Sequence, residues 1–138
     1  MMVTVNRKSH FNAAHKLHNP KWTEEKNQQF FGKCSNPNYH GHNYEIIVAV
    51  KGEIDPDTGF VMNFTDLKHI LKTQIIDVVD HKNLNLDIPF LADKFTSAEV
   101  MAIEFWKIIS PEIEKLGSQL HCISLKETDN NVVEYFGE

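Results

Sequence analysis

The chain predicts an α+β fold in the order ββααββ, an antiparallel sheet with two helices on one face. Apolar residues recur with period two near both ends and with helical period in the middle. Strand pairs at the two ends with helices between them favour one sheet covered on one side. In positions 2–14, Val3, Val5, Phe11 and Ala13 share one parity, the pattern of a half-buried strand. Positions 15–39 are punctuated by Asn19-Pro20, Gly32 and Asn36-Pro37 and read as a loop, long enough to be functional. Positions 42–52 alternate again, with Tyr44, Ile46, Val48 and Val50 on one face.

Asp55 to Gly59 reads as a turn leading into a short extended piece, Phe60 to Phe64. Thr65 and Asp66 are placed to cap a helix whose inward positions are Leu67, Ile70, Leu71, Ile75 and Val78, ending near Asp80. Thr96-Ser97-Ala98-Glu99 fits a capping box that opens a second helix with Val100, Ile103, Trp106 and Ile109, or residues next to them, inward. Ser110-Pro111 predicts a kink or restart, and Gly117 a C-cap. Positions 120–128 place Ile123, Leu125 and Glu127 on one face of a third strand, and Val132 to Phe136 form the fourth. Four strands leave one face and both edges uncovered, so we expect an oligomer.

At 138 residues, 41% hydrophobic and 24% charged, the chain suits one domain, residues 1–138, with no repeat or linker. A net charge of −5 and the lack of a Lys/Arg cluster argue against a general nucleic-acid binder. No apolar run approaches the ~20 residues that span a bilayer, and no signal pattern opens the chain. We therefore expect no membrane partner and a cytoplasmic protein, in which Cys34 and Cys122 are free thiols. G-x-G-x-x-G, P-loop and G-x-S-x-G patterns are absent, which removes the usual cradles for dinucleotides and phosphates and the usual serine nucleophile.

Histidine, with eight copies, is the unusual component. His40 and His42 flank Gly41, so on a strand both imidazoles project from one face, on the parity of Tyr44 and Ile46. His15 ends the first strand on the parity of Phe11 and Ala13, where it can meet the pair. Three imidazoles with an open fourth position suit catalytic zinc, whereas an isolated His-x-His is more often two solvated side chains in a turn. Cys34 is a fourth ligand, a thiol acting as base or nucleophile, or an inert loop residue; spacing does not choose. Asp80-His81 reads either as a helix end favouring a cation or as a carboxylate orienting an imidazole for proton transfer. An inward Glu127 needs partners, either an ion pair or a ligand with adjacent N–H donors.

Taken together, the segments FNAAH, FGKCSNPNYHGHNY, GEIDPDTGFVMNF, DHKNLNLD and KETDNNVVEYFGE resemble the 6-pyruvoyl-tetrahydropterin synthase family in order and spacing over nearly the whole chain. The resemblance implies the T-fold, in which subunits assemble into barrels, typically a homohexamer made as a dimer of trimers. It implies Zn2+ on His15, His40 and His42, a catalytic Cys34, the Asp80-His81 proton-transfer pair and a pterin-anchoring Glu127, with Ser97 and Glu99 also at the substrate. The implied reaction converts 7,8-dihydroneopterin triphosphate to 6-pyruvoyl-5,6,7,8-tetrahydropterin and triphosphate, in tetrahydrobiopterin biosynthesis.

Two alternatives are a 6-carboxy-5,6,7,8-tetrahydropterin synthase of queuosine biosynthesis and a non-catalytic pterin- or zinc-binding module. The carboxy enzymes tend to place three residues between cysteine and His-Gly-His; here five separate Cys34 from His40, as in the biopterin type. The sequence departs from the family at Tyr39, where glycine is common, and at Ser97-Ala98, where a Thr-Thr pair is common. Lys16, Lys33, Lys82 and Lys94 are the candidate cations for the triphosphate, each of which also reads as an ordinary surface lysine.

Overall fold

A computed structural model describes all 138 residues. Its frame is a sheet of four long strands: β1 (Met2–His15), β2 (His40–Glu53), β4 (Gln119–Thr128) and β5 (Asn131–Tyr135). A two-residue β3 (Lys82–Asn83) adds a fifth strand, in the order β3-β1-β2-β4-β5. β1–β2, β2–β4 and β4–β5 are antiparallel as expected, whereas β3 runs parallel to β1, pairing Ala13 with Lys82 and Ala14 with Asn83. No sequence periodicity can reveal a strand of two residues.

The helices cover one face of the sheet. α2 (Phe64–Leu71) continues through a π-helical stretch, Lys72–Ile76, into α3 (Asp77–Val79), and α4 (Ala98–Glu114) is the long second helix. Leu67, Leu71, Ile75 and Val79 from the first helical unit and Met101, Phe105, Ile109 and Ile113 from α4 are buried with Phe11, Tyr44, Ile46, Val48, Ile123 and Leu125 of the sheet. A bulge in the β2–β4 ladder, where Ala49 pairs with Cys122 and Val50 with Leu120, leaves His121 as the extra residue. It turns Leu120 inward although its parity differs from that of Ile123.

Several expected boundaries move. Asn63, not Thr65 or Asp66, caps α2 by accepting from the Thr65 N–H at 2.9 Å, and Val79 rather than Val78 is fully buried. No strand forms at Phe60 to Phe64, whose last residue already begins α2. Ser97, one position later than the capping box suggests, caps α4 by accepting from the Val100 N–H at 3.3 Å. Thr96 is drawn away because it serves the end of β1 instead. On α4 the neighbouring positions Met101, Ala102 and Phe105 are the buried ones, with Ile109 buried as expected and Trp106 partly buried against the core. Pro111 lies inside α4 without ending it, since Ile109 and Ile113 on either side are both held in the core. Lys115 is the C-cap, with Gly117 just beyond at a left-handed φ of 82°.

The 15–39 segment also contains a helix, α1 (Glu24–Phe31), capped by Thr23. Buried Asn27 organises the surrounding turn: its Oδ1 accepts from Asn19 N–H at 2.8 Å, and its amide donates to the carbonyls of Asn19 and Thr23. The polar stripe EEKNQQ conceals this helix from a hydrophobic-period search. No helix of the structure is long and apolar enough to cross a membrane.

Candidate metal centre and adjoining cleft

The β1–β2 register places His15 directly opposite His40, and Ala13 opposite His42, so the three histidines meet at the helix-covered end of the strand pair. Their rings stand 4.6 Å (His15–His40), 4.9 Å (His40–His42) and 5.1 Å (His15–His42) apart between centroids. One nitrogen from each lies within 4.8 Å of the other two. Strand alternation puts the two β2 histidines on one face, and a Cβ at the intervening Gly41 would make only an ordinary contact, 3.4 Å from the Ala13 carbonyl oxygen.

His15 is oriented from outside the cluster. Its Nδ1–H donates to the Thr96 carbonyl at 2.8 Å, which leaves Nε2 as a bare acceptor aimed inward. Thr96 is itself tied back, its hydroxyl lying 3.3 Å from the Lys16 carbonyl and 3.3 Å from Asn85 Oδ1. Burial, outweighing the Thr96 hydrogen bond and reinforced by the two neighbouring histidines, lowers the His15 pKa to about 4. His40 is lowered for the same first reason, burial, with His42 adding to it. His15 Nε2, His40 Nδ1 and His42 Nε2 are all buried without a hydrogen-bond partner. Each orphaned nitrogen costs about 1–3 kcal/mol unless something engages it. Three convergent imidazole nitrogens fit a zinc-like cation and leave a fourth position for substrate.

Around this cluster the other candidates divide. Glu127 reaches it: one carboxylate oxygen stands 3.5 Å from His42 Nε2. Glu127 also lines a cleft of about 400 Å3 with Ser97 and Glu99, bounded by Leu17 and the Asn130–Val133 turn and strand. All three residues expected at the substrate therefore share one cavity.

Cys34 lies in a 3₁₀ turn, Gly32–Ser35, whose backbone is fastened to the end of β1 by the Leu17 N–H donating to the Cys34 carbonyl at 2.7 Å. The group of side chains close enough to share a metal contains the three histidines and not Cys34.

Asp80 and His81 stay apart from the cluster. His81 Nδ1 lies 3.0 Å from Asp80 Oδ1, so the expected pair is formed. Its backbone, however, is fastened to Asn12: Asn12 N–H donates to Asp80 Oδ1 at 2.9 Å, and His81 N–H donates to the Asn12 carbonyl at 2.6 Å. Asn12 is three residues, roughly 10 Å, back along β1 from His15, on the opposite parity. The Asn12 hydrogen bond, more than His81, holds the Asp80 carboxyl below its usual range. His81 adopts a left-handed φ of 59° and its side chain is 80% exposed, a strained residue presented at the sheet edge.

Tyr39, immediately before His40, has a φ of 67°, which explains why glycine suits this position. The Lys16 ammonium stands 4.9 Å from its ring centroid, and both line a second cleft of about 310 Å3 with His18, Asn85 and Phe95. Of the candidate triphosphate cations, Lys94 is engaged with Glu104 at 2.8 Å.

Two contributors have no distinguishing mark in the sequence. The Thr96 carbonyl is a backbone group and has no sequence signature. The Tyr44 hydroxyl, buried beside the cluster, was visible only as another member of an apolar row, although its parity matches that of His40 and His42. Burial chiefly, and then the charge of Glu127, raises the Tyr44 pKa far above the usual phenol range, so the group is a neutral donor.

Comparison with known proteins agrees with this arrangement. A 6-pyruvoyl tetrahydropterin synthase family model matches residues 4–138. The chain is 46% identical over 134 residues to a 6-pyruvoyl tetrahydrobiopterin synthase of Pongo abelii, covering 97% of this chain and 91% of that protein. It is 44% identical to the Homo sapiens protein of the same name, with the same coverage. The solved structure of Caenorhabditis elegans 6-pyruvoyl tetrahydropterin synthase superposes with a TM-score of 0.89 at 34% identity, covering 100% of this chain and 97% of that one. With its T-fold sheet, histidine cluster and full-length similarity, the chain belongs to the 6-pyruvoyl tetrahydropterin synthase family.

Proposed function

We propose that the protein is a zinc-dependent 6-pyruvoyl-tetrahydropterin synthase, converting 7,8-dihydroneopterin triphosphate to 6-pyruvoyl-tetrahydropterin with release of triphosphate. The observation that carries this reading is the convergence of three orphaned imidazole nitrogens, with Glu127, whose carboxylate stands 3.5 Å from His42 Nε2, also lining the cleft shared with Ser97 and Glu99.

His15, His40 and His42 hold the ion, which supplies Lewis-acid polarisation of substrate oxygens. Glu127 accepts two parallel hydrogen bonds from the pterin ring N–H and its amino group, a bidentate fit that orients the ring. Ser97 and Glu99 bound the same cavity and complete the pterin site. Cys34, as thiolate, takes the carbon-bound proton of the substrate side chain. His81, held by Asp80, delivers and receives protons as triphosphate leaves. Hydrogen moves from side chain to ring within the substrate, so no nicotinamide is required.

The separation of Asp80-His81 from the cluster within one chain favours an oligomer in which the exposed pair serves the cluster of a neighbouring copy. The edge of β1 before Asn12 and the outer edge of β5 lack strand partners in the chain and suit barrel closure between copies, consistent with a homohexamer. Cytoplasmic location belongs to the same reading.

The decisive assay is turnover of 7,8-dihydroneopterin triphosphate by zinc-loaded protein, with triphosphate release and product mass measured together. A pyruvoyl product supports the proposal. A carboxy product with loss of a two-carbon fragment reassigns the enzyme, and zinc-loaded protein without turnover refutes it. Cys34→Ala should retain zinc and abolish turnover; loss of zinc instead would make the thiol a ligand.

A further inference from the structure

Tyr44 follows His40 and His42 on the same face of β2, and none of the roles above uses it. It is fully buried, stacked on Phe11 with ring centroids 4.8 Å apart and edge-on to His42 at 5.6 Å. Its hydroxyl has no hydrogen-bond partner. Phenylalanine would fill the same space without burying an unsatisfied donor, so packing does not account for the hydroxyl. It points to an acceptor that engages it when the site is loaded.

The acceptor lies across the strand. The β2–β4 ladder pairs Ile46 with Leu125 and Glu45 with Lys126. The ladder's last pair is Glu45 with Lys126; Glu127, the next residue, lies at an irregularity of the β4–β5 ladder, beside His42 and near enough for its charge to act on the Tyr44 phenol. Glu127 leans on His42 Nε2 at 3.5 Å. His42 Nε2 makes no hydrogen bond, and with its lone pair on a metal it would carry no proton to offer a carboxylate, so the Tyr44 hydroxyl is the neighbouring group able to donate to Glu127.

We propose that Tyr44 is the positioning residue for Glu127. Its hydroxyl donates to one carboxylate oxygen, holds the carboxylate away from the metal and turns it toward the paired N–H donors of an aminopyrimidinone ring such as a pterin. A carboxylate has lone pairs enough for all three donors. The inference rests on the function proposed above, and it adds a residue that acts through Glu127 without touching substrate.

The test compares wild type, Tyr44→Phe, Glu127→Gln and the double variant as zinc-loaded proteins. The measurements are zinc content, melting temperature, the dissociation constant for a pterin without the triphosphate chain, and the separate KM and kcat for the triphosphate substrate. Tyr44→Phe should keep its zinc and melt no lower than wild type, while binding the pterin about tenfold more weakly, with KM rising by a similar factor. On the Glu127→Gln background the same substitution should move the pterin constant by less than about twofold. A wild-type pterin constant in Tyr44→Phe, a full tenfold loss on the Glu127→Gln background, or a fall in zinc content or melting temperature would each overturn the inference. Wild-type protein that neither binds the pterin nor turns over substrate would instead sink the proposed function, and the inference with it.

Discussion

Acidifying the metal-stripped protein from pH 7 to pH 5 should destabilise it by about 2 kcal/mol through His15 alone. An unfolded His15 titrates near 6.5, whereas the buried imidazole titrates at about 4. Between these values the unfolded chain binds the proton and the native chain does not, so stability is fully present above pH 6.5 and is lost as pH falls toward 4. The whole shift is worth about 3 kcal/mol at about 1.4 kcal/mol per pH unit, and roughly 2 kcal/mol of it falls between pH 7 and pH 5. His15 is 1% exposed, so solvent screening removes little of this. His40 is shifted in the same direction and adds to the slope. The measurement is urea unfolding at fixed protein concentration and matched ionic strength, at pH 7 and pH 5, for wild type and His15→Asn. The asparagine amide can still reach the Thr96 carbonyl but does not titrate. Wild type should lose about 2 kcal/mol more than the variant over this interval. Parallel losses would refute the argument, because they would mean that His15 is protonated in the native protein or is not buried as the structure places it.

Four further outcomes follow from the geometry. Chelation should abolish turnover and zinc should restore it, with the ligands competing against protons at low pH; turnover unaffected by a strong chelator would contradict the metal assignment. Thr96→Val removes the hydroxyl that faces the Lys16 carbonyl and Asn85, and should cost about 1 kcal/mol by chemical denaturation while the His15 contact, made to the backbone, persists. Tyr39→Gly relieves roughly 1–2 kcal/mol of left-handed strain but frees roughly 0.5–1 kcal/mol of chain entropy, so its unfolding free energy should stay within about 1 kcal/mol of wild type. Phe105→Ala empties the centre of the core against Phe11 and Phe90 and should lower stability by about 3–5 kcal/mol, read as a fall in the urea midpoint.

Much of the site is written in local sequence because strand parity is local. His40 and His42 share a face with Tyr44 whatever the rest of the chain does, and the same parity points Glu127, two residues after Leu125, toward that face. The two main helices and their order were legible from 3.6-residue periodicity. Their caps were not, because Thr96 and Ser97 are equally competent oxygens, and the choice between them was made by His15, 81 positions away, claiming the Thr96 carbonyl. α1 escaped notice because its stability comes from buried Asn27 rather than from an apolar stripe.

Local order along the chain thus specified which residue types point to which side of each strand and helix, and so which side chains were available for metal chemistry. Only the tertiary structure decided which of them meet. The pairing of His15 with His40, the placing of Glu127 against His42, and the fastening of Asp80-His81 to Asn12 at the other edge all depend on register between strands and segments distant in sequence. Such registers are selected by burial of the whole face and by hydrogen bonds closed across the fold, terms that no short window of sequence contains.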